Sequence, residues 1–441
     1  MQAEWGLAQT LDSTMGFQKP MVASAWKNDS LFVIWATEIA RQMKMLGFNL
    51  NLAPNADNEV FPGDYLRYFS NEQGRVARNA VAFTKTLQRE GILTLAKHLP
   101  RRQMVENKDS TLIINIARID TAGLYTLQRL IENKVDGILT NYLHFSLQNE
   151  KGIVPASLSQ IFITEVLKRK LNFRGLVFTE VKNFQKTAGK IRAGDAEQLA
   201  FETGNDILMS PLNVRAGIKS IAKRMKKDKL LQQQLDVTVK KILGAKYDAG
   251  LNKFEVPDTD NLLRKLHSPA SQLLKRQLAE ASITVIKNEN DLLPIRVLEN
   301  NSFKCISVGK DAENEFSHFL KKYTHVESTS IKNAQDTISI DLKSGETLIV
   351  GIFPFMTKLE SQVSHWIKSL SSTHRVIIVH FGSPFSIGPY MNATSLITAY
   401  TDQDEMMTVV AQMIFGALPA TGVLPVRLKE VVVQPLTTKK K

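Results

Sequence analysis

Two short stretches of the chain end an apolar run on side chains that can grip oxygen or move a proton, and a third places an arginine in a loop. Ile92 to Ala96 is followed at once by Lys97 and His98, and Pro100 forbids the run from continuing as a strand. Leu176-Val177-Phe178-Thr179 closes on Glu180, and Arg67 lies in the turn-like Leu66-Arg67-Tyr68-Phe69. A lysine offers three hydrogen-bond donors and an arginine a rigid fork, both suited to hydroxyl or carboxylate oxygens. Each has a plainer reading too: Glu180 as a solvated strand end, Lys97-His98 as a pair satisfying backbone carbonyls. The other seven histidines, His144, His267 and His380 among them, lack a spacing such as H-E-x-x-H, so no metal is expected. Walker, G-x-G-x-x-G and G-x-S-x-G loops do not occur, and no cofactor is expected. The single cysteine, Cys305, sits in an apolar run and reads as core.

The elements that must position these groups alternate between strand and helix patterns. Asp29 to Gly47 carries Ile34, Ile39, Met43 and Leu46 on a helical period and stops at glycine. Phe48 to Pro54 alternates as a strand, and a helix from about Glu72 to Arg89 leads into the run before Lys97. Thr121 to Glu132 and Gln160 to Lys170 read as helices, with Val135 to Thr140, Leu176 to Thr179 and Asp206 to Met209 as buried strands. Such alternation predicts a parallel α/β architecture. The pattern thins between Tyr247 and Ser268, around Pro257. Beyond it the near-continuous apolar runs at 282–286, 305–308, 348–353, 375–379 and 396–400 suit a sheet covered on both faces.

The motifs resemble those of glycoside hydrolase family 3, in its bacterial β-N-acetylglucosaminidase branch. Ala3-Glu4-Trp5-Gly6 resembles the family's D-x-E-G/W-G segment, Phe48 to Asp57 its N-F-A-P-V-L-D strand, and Leu66 to Phe69 its R-S-F-G turn. Lys97-His98-Leu99-Pro100 keeps the first half of K-H-F-P-G-H-G-D-T, and Pro155-Ala156-Ser157-Leu158-Ser159 matches P-A-S-L-S. The resemblance implies a TIM-like (β/α)8 barrel over 1–250, a linker over 251–268, an α/β/α sandwich over 269–430 and a tail over 431–441. Because the D-x-E-G segment normally closes the second barrel strand, the barrel is expected to lack its first strand or two. A longer native protein is the preferred explanation, and capping of the gap by other segments is the alternative.

For the site, the resemblance implies Glu180 at the nucleophile position, where the family has aspartate, and Arg67, Lys97 and His98 as sugar-binding residues. The family's histidine–aspartate acid/base loop is not kept. Met104 falls at its aspartate, no histidine occurs from Leu99 to Leu143, and Thr111 follows Asp109-Ser110 where histidine is expected. Glu106 or Asp109 is a candidate replacement acid. Gln2 and Thr10 replace two further sugar-gripping positions. Proton transfer is typically worth about 10²–10⁴-fold, so weak or absent activity on cell-wall or chitin-type amino sugars is expected. A non-catalytic sugar- or muropeptide-binding pseudoenzyme is the alternative. The expected partner is an N-acetylglucosamine-containing glycan, and the resemblance favours a periplasmic or extracytoplasmic location.

Charge offers a third reading. The chain carries a formal +13, densest from Lys219 to Lys229. Ile218, Ile221, Ala222 and Met225 share helical spacing there, which predicts an amphipathic surface helix with a solvated basic face. Without aromatic interleaving a nucleic-acid site is not expected, although a basic interaction scaffold stays open. No run of eighteen apolar residues predicts a membrane span.

Overall fold

A computed structural model of the chain describes residues 1–58, 60, 62–99, 111–114, 121–140, 144–147, 154–181, 191–253, 255–299, 301–333, 341–354 and 357–428. Two compact units form: Met1–Gly16 with Val33–His267, and Phe17–Phe32 with Ser268–Lys441. The excursion of residues 17–32 into the second unit carries no sequence signature. It is held there by Trp26, whose Nε1–H donates to Leu278 O at 3.0 Å and Ser282 Oγ at 2.8 Å.

The first unit contains β1 (Leu50–Asn51), β2 (Leu93–Leu99), β3 (Thr111–Ile114), β4 (Gly137–Thr140), β5 (His144–Leu147), β6 (Val154–Pro155), β7 (Leu176–Glu180) and β8 (Ile207–Met209). Five of these form a parallel sheet in the order β1-β2-β4-β7-β8, and β3-β5-β6 form a small separate sheet. The five-stranded sheet curls as half of a TIM-like barrel. Its inner layer is Leu95, Leu139, Leu176 and Phe178, against which Ile242 and Ala245 of the helix Lys229–Asp248 pack. Gly137 is required in that layer, because a Cβ there would lie 2.5 Å from Leu95 Cδ1 and 3.0 Å from Phe178. Among the described residues the ladder ends at β1 and β8. Beside β1, Leu52 N–H donates to Met1 O at 2.8 Å and the Met1 amine to Leu50 O at 3.2 Å.

Two carboxylates, Asp206 buried and Asp136 half-buried, pin the strand starts. Asp136 Oδ2 accepts from Thr94 N at 2.8 Å and Thr94 Oγ1 at 3.0 Å; Asp206 Oδ2 accepts from Val177 N at 2.8 Å and Lys241 Nζ at 2.6 Å. Both act at the amino ends of strands, the face of such a sheet that serves stability, which leaves the carboxyl ends for function.

The second unit is a six-stranded sheet of β9 (Thr284–Asn288), β10 (Phe303–Val308), β11 (Val326–Ile331), β12 (Thr347–Ile352), β13 (Arg375–His380) and β14 (Ser395–Thr398). The order is β11-β10-β12-β13-β14-β9, parallel except for β9. Its central strand β12 is buried at every position, and a core including Ile306, Leu348, Val350, Val376 and Leu396 lies on one face.

Several sequence expectations are corrected. The strand before Lys97 does not stop at Ala96: β2 runs on through Lys97 and His98 to Leu99, because Lys97 and Leu99 still pair with Leu139 and Thr140 of β4 across a register shift. Ile34 is half exposed; the helix Asp29–Met45 instead buries Trp35, Ile39 and Met43. The basic segment is two helices, Val214–Met225 and Lys229–Asp248, broken where Asp228 caps the second by accepting from Leu230 and Leu231 N–H. Ile218 faces outward at 64% exposure, because Gly217 is the residue packed inward against Glu197. The polar strand β11, VESTSI, is missing from the apolar-run reading because an edge strand need not be apolar. Glu106 and Asp109 of the candidate acid loop, Met104 and the tail lie outside the described residues.

Candidate active site

The cleft forms where the parallel strands run out. Leu52 beyond β1, Lys97 and His98 of β2, Leu139 and Thr140 of β4, Glu180 of β7 and Met209 of β8 line it, with Gln2 and Arg67, and it encloses about 210 Å³. The carboxyl ends of parallel strands are where barrel enzymes place their reacting groups, since the loops that follow vary without disturbing the sheet. All four site residues drawn from the sequence, Glu180, Arg67, Lys97 and His98, line this one cleft.

At its base is a cluster for which the sequence gives only a motif. Glu4 is buried, and its carboxylate collects three donors. Lys97 Nζ reaches Oε1 at 2.5 Å, Arg67 grips bidentately through Nη2–Oε1 at 2.7 Å and Nε–Oε2 at 3.0 Å, and Gln2 Nε2 adds 3.2 Å. Burial by itself raises a carboxyl pKa; Lys97 and Arg67 together overcome it and hold Glu4 down at about 2. Arg67 is shifted upward chiefly by its hydrogen bond to Glu4. Lys97 moves the other way, downward, because its own burial outweighs the pull of Glu4. The two ends of the Glu4–Lys97 pair thus point to opposite balances. The contact distance and the second cation on the same carboxylate favour the ion pair. Arg67 Nη1 also reaches Asp64 Oδ2 at 3.2 Å, so most of the arginine fork already has protein partners.

His98 has a separate support. Past β1 the backbone keeps pairing along β2: Leu95 N–H donates to Ala53 O, Lys97 N–H to Pro54 O, and Ala56 N–H to Lys97 O at 2.6 Å. This extended ladder delivers Asp57 to the imidazole, with Asp57 Oδ2 3.0 Å from His98 Nδ1. The Lys97–His98 peptide is cis, and both side chains line the cleft. Asp57 is 5% exposed and His98 35%. A sequence reader has a signal for this pair only in the motif spacing; nothing in a polar residue forty-one positions away marks it as a partner.

Glu180 is the last residue of β7, half-buried and paired in register with Met209. Beside it, Thr140 Oγ1 donates to Phe178 O at 2.9 Å, tying β4 to β7 under the cleft floor. Among the described residues, no three histidines, cysteines or acidic residues converge as a metal site would need.

With this geometry in place, comparison with known proteins is direct. Residues 1–245 match the glycosyl hydrolase family 3 N terminal domain. The chain belongs to glycosyl hydrolase family 3. It is 23% identical over 465 residues to beta-hexosaminidase A of Pseudoalteromonas piscicida, covering 89% of this chain and 76% of that one. It is 20% identical to a beta-N-acetylglucosaminidase/beta-glucosidase of Cellulomonas fimi, covering 96% and 82%. Among solved structures, a family 3 beta-N-acetylglucosaminidase from Paenibacillus sp. superposes with a TM-score of 0.70 at 20% identity, over 98% of this chain and 86% of that one. The beta-glucosidase of Listeria innocua in complex with glucose gives 0.76 at 15% identity, over 96% and 64%. These structural likenesses concern the fold. No helix among the described residues is long and apolar enough to cross a membrane.

Proposed function

We propose that the cleft holds the terminal sugar of a β-linked N-acetylhexosaminide, of the cell-wall or chitin type, and cleaves it slowly with Glu180 as nucleophile. The reading is carried by one observation: a strand-end carboxylate shares a 210 Å³ cleft with Lys97, His98 and Arg67. The family and the names of its relatives supply the substrate class. Lys97 and His98 present donors to ring hydroxyls, and Glu180 attacks the anomeric carbon. Slowness follows from two substitutions. Glutamate carries one methylene more than the aspartate it replaces, and misplacing a reacting atom by about 1 Å costs roughly a hundredfold. The chain also has Met104 and Thr111 where the acid/base loop of its family has aspartate and histidine.

The test is turnover of 4-nitrophenyl N-acetyl-β-D-glucosaminide by the full chain. Slow hydrolysis that disappears in Glu180→Gln is expected; hydrolysis that survives this change removes Glu180 from the role. The second reading, sugar binding without turnover, is favoured by the loss of those two loop residues. It predicts saturable heat on titration with N-acetylglucosamine, no hydrolysis, and loss of the binding in Lys97→Ala.

A further inference from the structure

More than half of the net charge sits on two consecutive helices of the first unit. Between 214 and 248 the sequence holds ten lysines and arginines against three aspartates, +7 of the formal +13. Arg224 pairs with Glu202 and Asp228, and Lys241 with Asp206; the other eight cations stand outside every ion pair seen among the described residues. The contacts fix which sides face the protein. In the helix Val214–Met225, Gly217 packs on Glu197, Ser220 Oγ donates to Gln198 Oε1 at 2.6 Å, and Arg224 Nε donates to Glu202 Oε1 at 2.8 Å. Residues four apart share a row on a helix. The rows Val214-Ile218-Ala222 and Arg215-Lys219-Lys223 therefore run side by side on the remaining surface, and all six residues are exposed. In the helix Lys229–Asp248, Leu231 and Thr238 are buried, and Ile242 and Ala245 meet the sheet. That leaves Val239, Leu243 and Tyr247 as an outward row, with Lys240 and Lys246 beside it. Val214, Ile218, Leu230, Leu243 and Tyr247 are each more than half exposed.

We propose that the outward rows of these two helices form a docking surface for an anionic bilayer, with the lysines among the headgroups and the aliphatic side chains entering the acyl boundary. The inference is independent of the glycosidase reading. Charge and apolar area are interleaved here, and few partners answer both. A polyanion such as nucleic acid matches the cations and leaves Ile218 and Leu243 in water. Protein interfaces are enriched in arginine and depleted in lysine, yet seven of the eight unpaired cations are lysines. A surface of acidic headgroups takes both features at once. Each basic residue near it strengthens binding about fivefold, and an apolar row sinks roughly 5–10 Å into the headgroup–acyl boundary. Asp236 and Asp248, the acids of the pair outside the ion pairs seen among the described residues, reduce this attraction without reversing it.

Co-sedimentation of the full chain with vesicles tests this, comparing pure phosphatidylcholine with a phosphatidylcholine–phosphatidylglycerol mixture. Binding to the mixed vesicles that fades as salt is added, and little binding to the neutral ones, is expected. Lys219→Gln combined with Lys223→Gln should weaken it about 25-fold, fivefold for each charge. Ile218→Ser combined with Leu243→Ser should weaken it about tenfold or more. All four side chains are exposed and lie outside the cleft lining, so the melting midpoint and the behaviour of the cleft toward a soluble sugar stay unchanged. That separates failure here from failure of the glycosidase reading. No binding to the mixed vesicles at low salt overturns the proposal and points to an acidic protein as the occupant. Equal binding to both vesicle types overturns it as well, since charge then plays no part. So does binding that the glutamine changes abolish and the serine changes leave intact. In that case duplex DNA bound equally by the unaltered chain and the serine variant identifies a surface that only attracts anions.

Discussion

Glu4 sets the electrostatics of the cleft. Two cations and an amide converge on one buried carboxylate, so neutralising it removes the ion-pair partner of the buried Lys97 and leaves Arg67 only the exposed Asp64. Breaking a buried ion pair from one side costs about 3–5 kcal/mol. Glu4→Gln is therefore expected to lower the free energy of urea unfolding of the first unit by that order, and a midpoint within error of the unaltered chain contradicts the ionic reading of the triad. The pH dependence has a definite sign. With its folded pKa depressed to about 2, Glu4 contributes stability that is complete above its ordinary value near 4.5 and is lost as pH falls through about 2. In Glu4→Gln that acid-side slope flattens. The same cluster bears on binding: a sugar hydroxyl meeting Lys97 meets a lysine already oriented by Glu4, which favours a preformed site over one assembled by the ligand.

At the scale of elements, the joint between helices Asp195–Glu202 and Val214–Met225 depends on a missing side chain. Glu197 is buried, its Oε2 accepting Gly194 N–H at 2.6 Å and its Oε1 Asn213 N–H at 2.9 Å. A Cβ on Gly217 would lie 2.9 Å from both Cβ and Cγ of Glu197, atoms near the backbone that cannot swing aside. Gly217→Ala should thus destabilise by about 1–3 kcal/mol, the range for overpacking, despite the better helix propensity of alanine. Thermal melting decides: an unchanged or higher midpoint means that the two helices can part at no cost. The same helix leaves Arg215, Lys219, Lys223 and Lys226 outside every ion pair seen among the described residues, while Arg224 bridges to Glu202 and Asp228. That is the solvated basic face expected of the segment, though its apolar spacing does not mark the buried side.

Over the whole molecule the two units differ in how acid reaches them. His380 in the second unit is fully enclosed; Gly382 N–H approaches Nδ1 at 3.3 Å, and Nε2 faces Ser386 Oγ at 3.2 Å. That arrangement suits a neutral ring with its proton on Nε2, and burial pushes its pKa down to about 4 from the usual 6.5. The unfolded chain therefore binds this proton more readily, and stability falls as pH drops from 6.5 toward 4, by roughly 3 kcal/mol if the shift is fully expressed. The first unit holds its Glu4 contribution until lower pH. Hydrogen exchange read by mass spectrometry at pH 7 and pH 5 should show protection lost in 284–398 before 33–267, with His380→Asn removing the difference. Loss in the opposite order contradicts this assignment.

Most strands and helices, the two-part α/β plan and the four residues that line one cleft, Glu180, Arg67, Lys97 and His98, were legible in the sequence, because apolar period and motif order are local properties. Which strand continues past its apolar run was not: β2 extends through Lys97 and His98 because β4 and the segment after β1 supply its hydrogen bonds from a distance. The capture of residues 17–32 by the second unit, the outward face of Ile218 and the polar edge strand β11 are likewise set by neighbours that no local window contains. The chain by itself determined which chemical groups are present and their family order. Tertiary structure decided their partners, and for Glu4 its depressed pKa, since only folding brings Glu4 onto Lys97 and Arg67, and Asp57 onto His98, across tens of residues to a place where both carboxylates are buried and less screened by water.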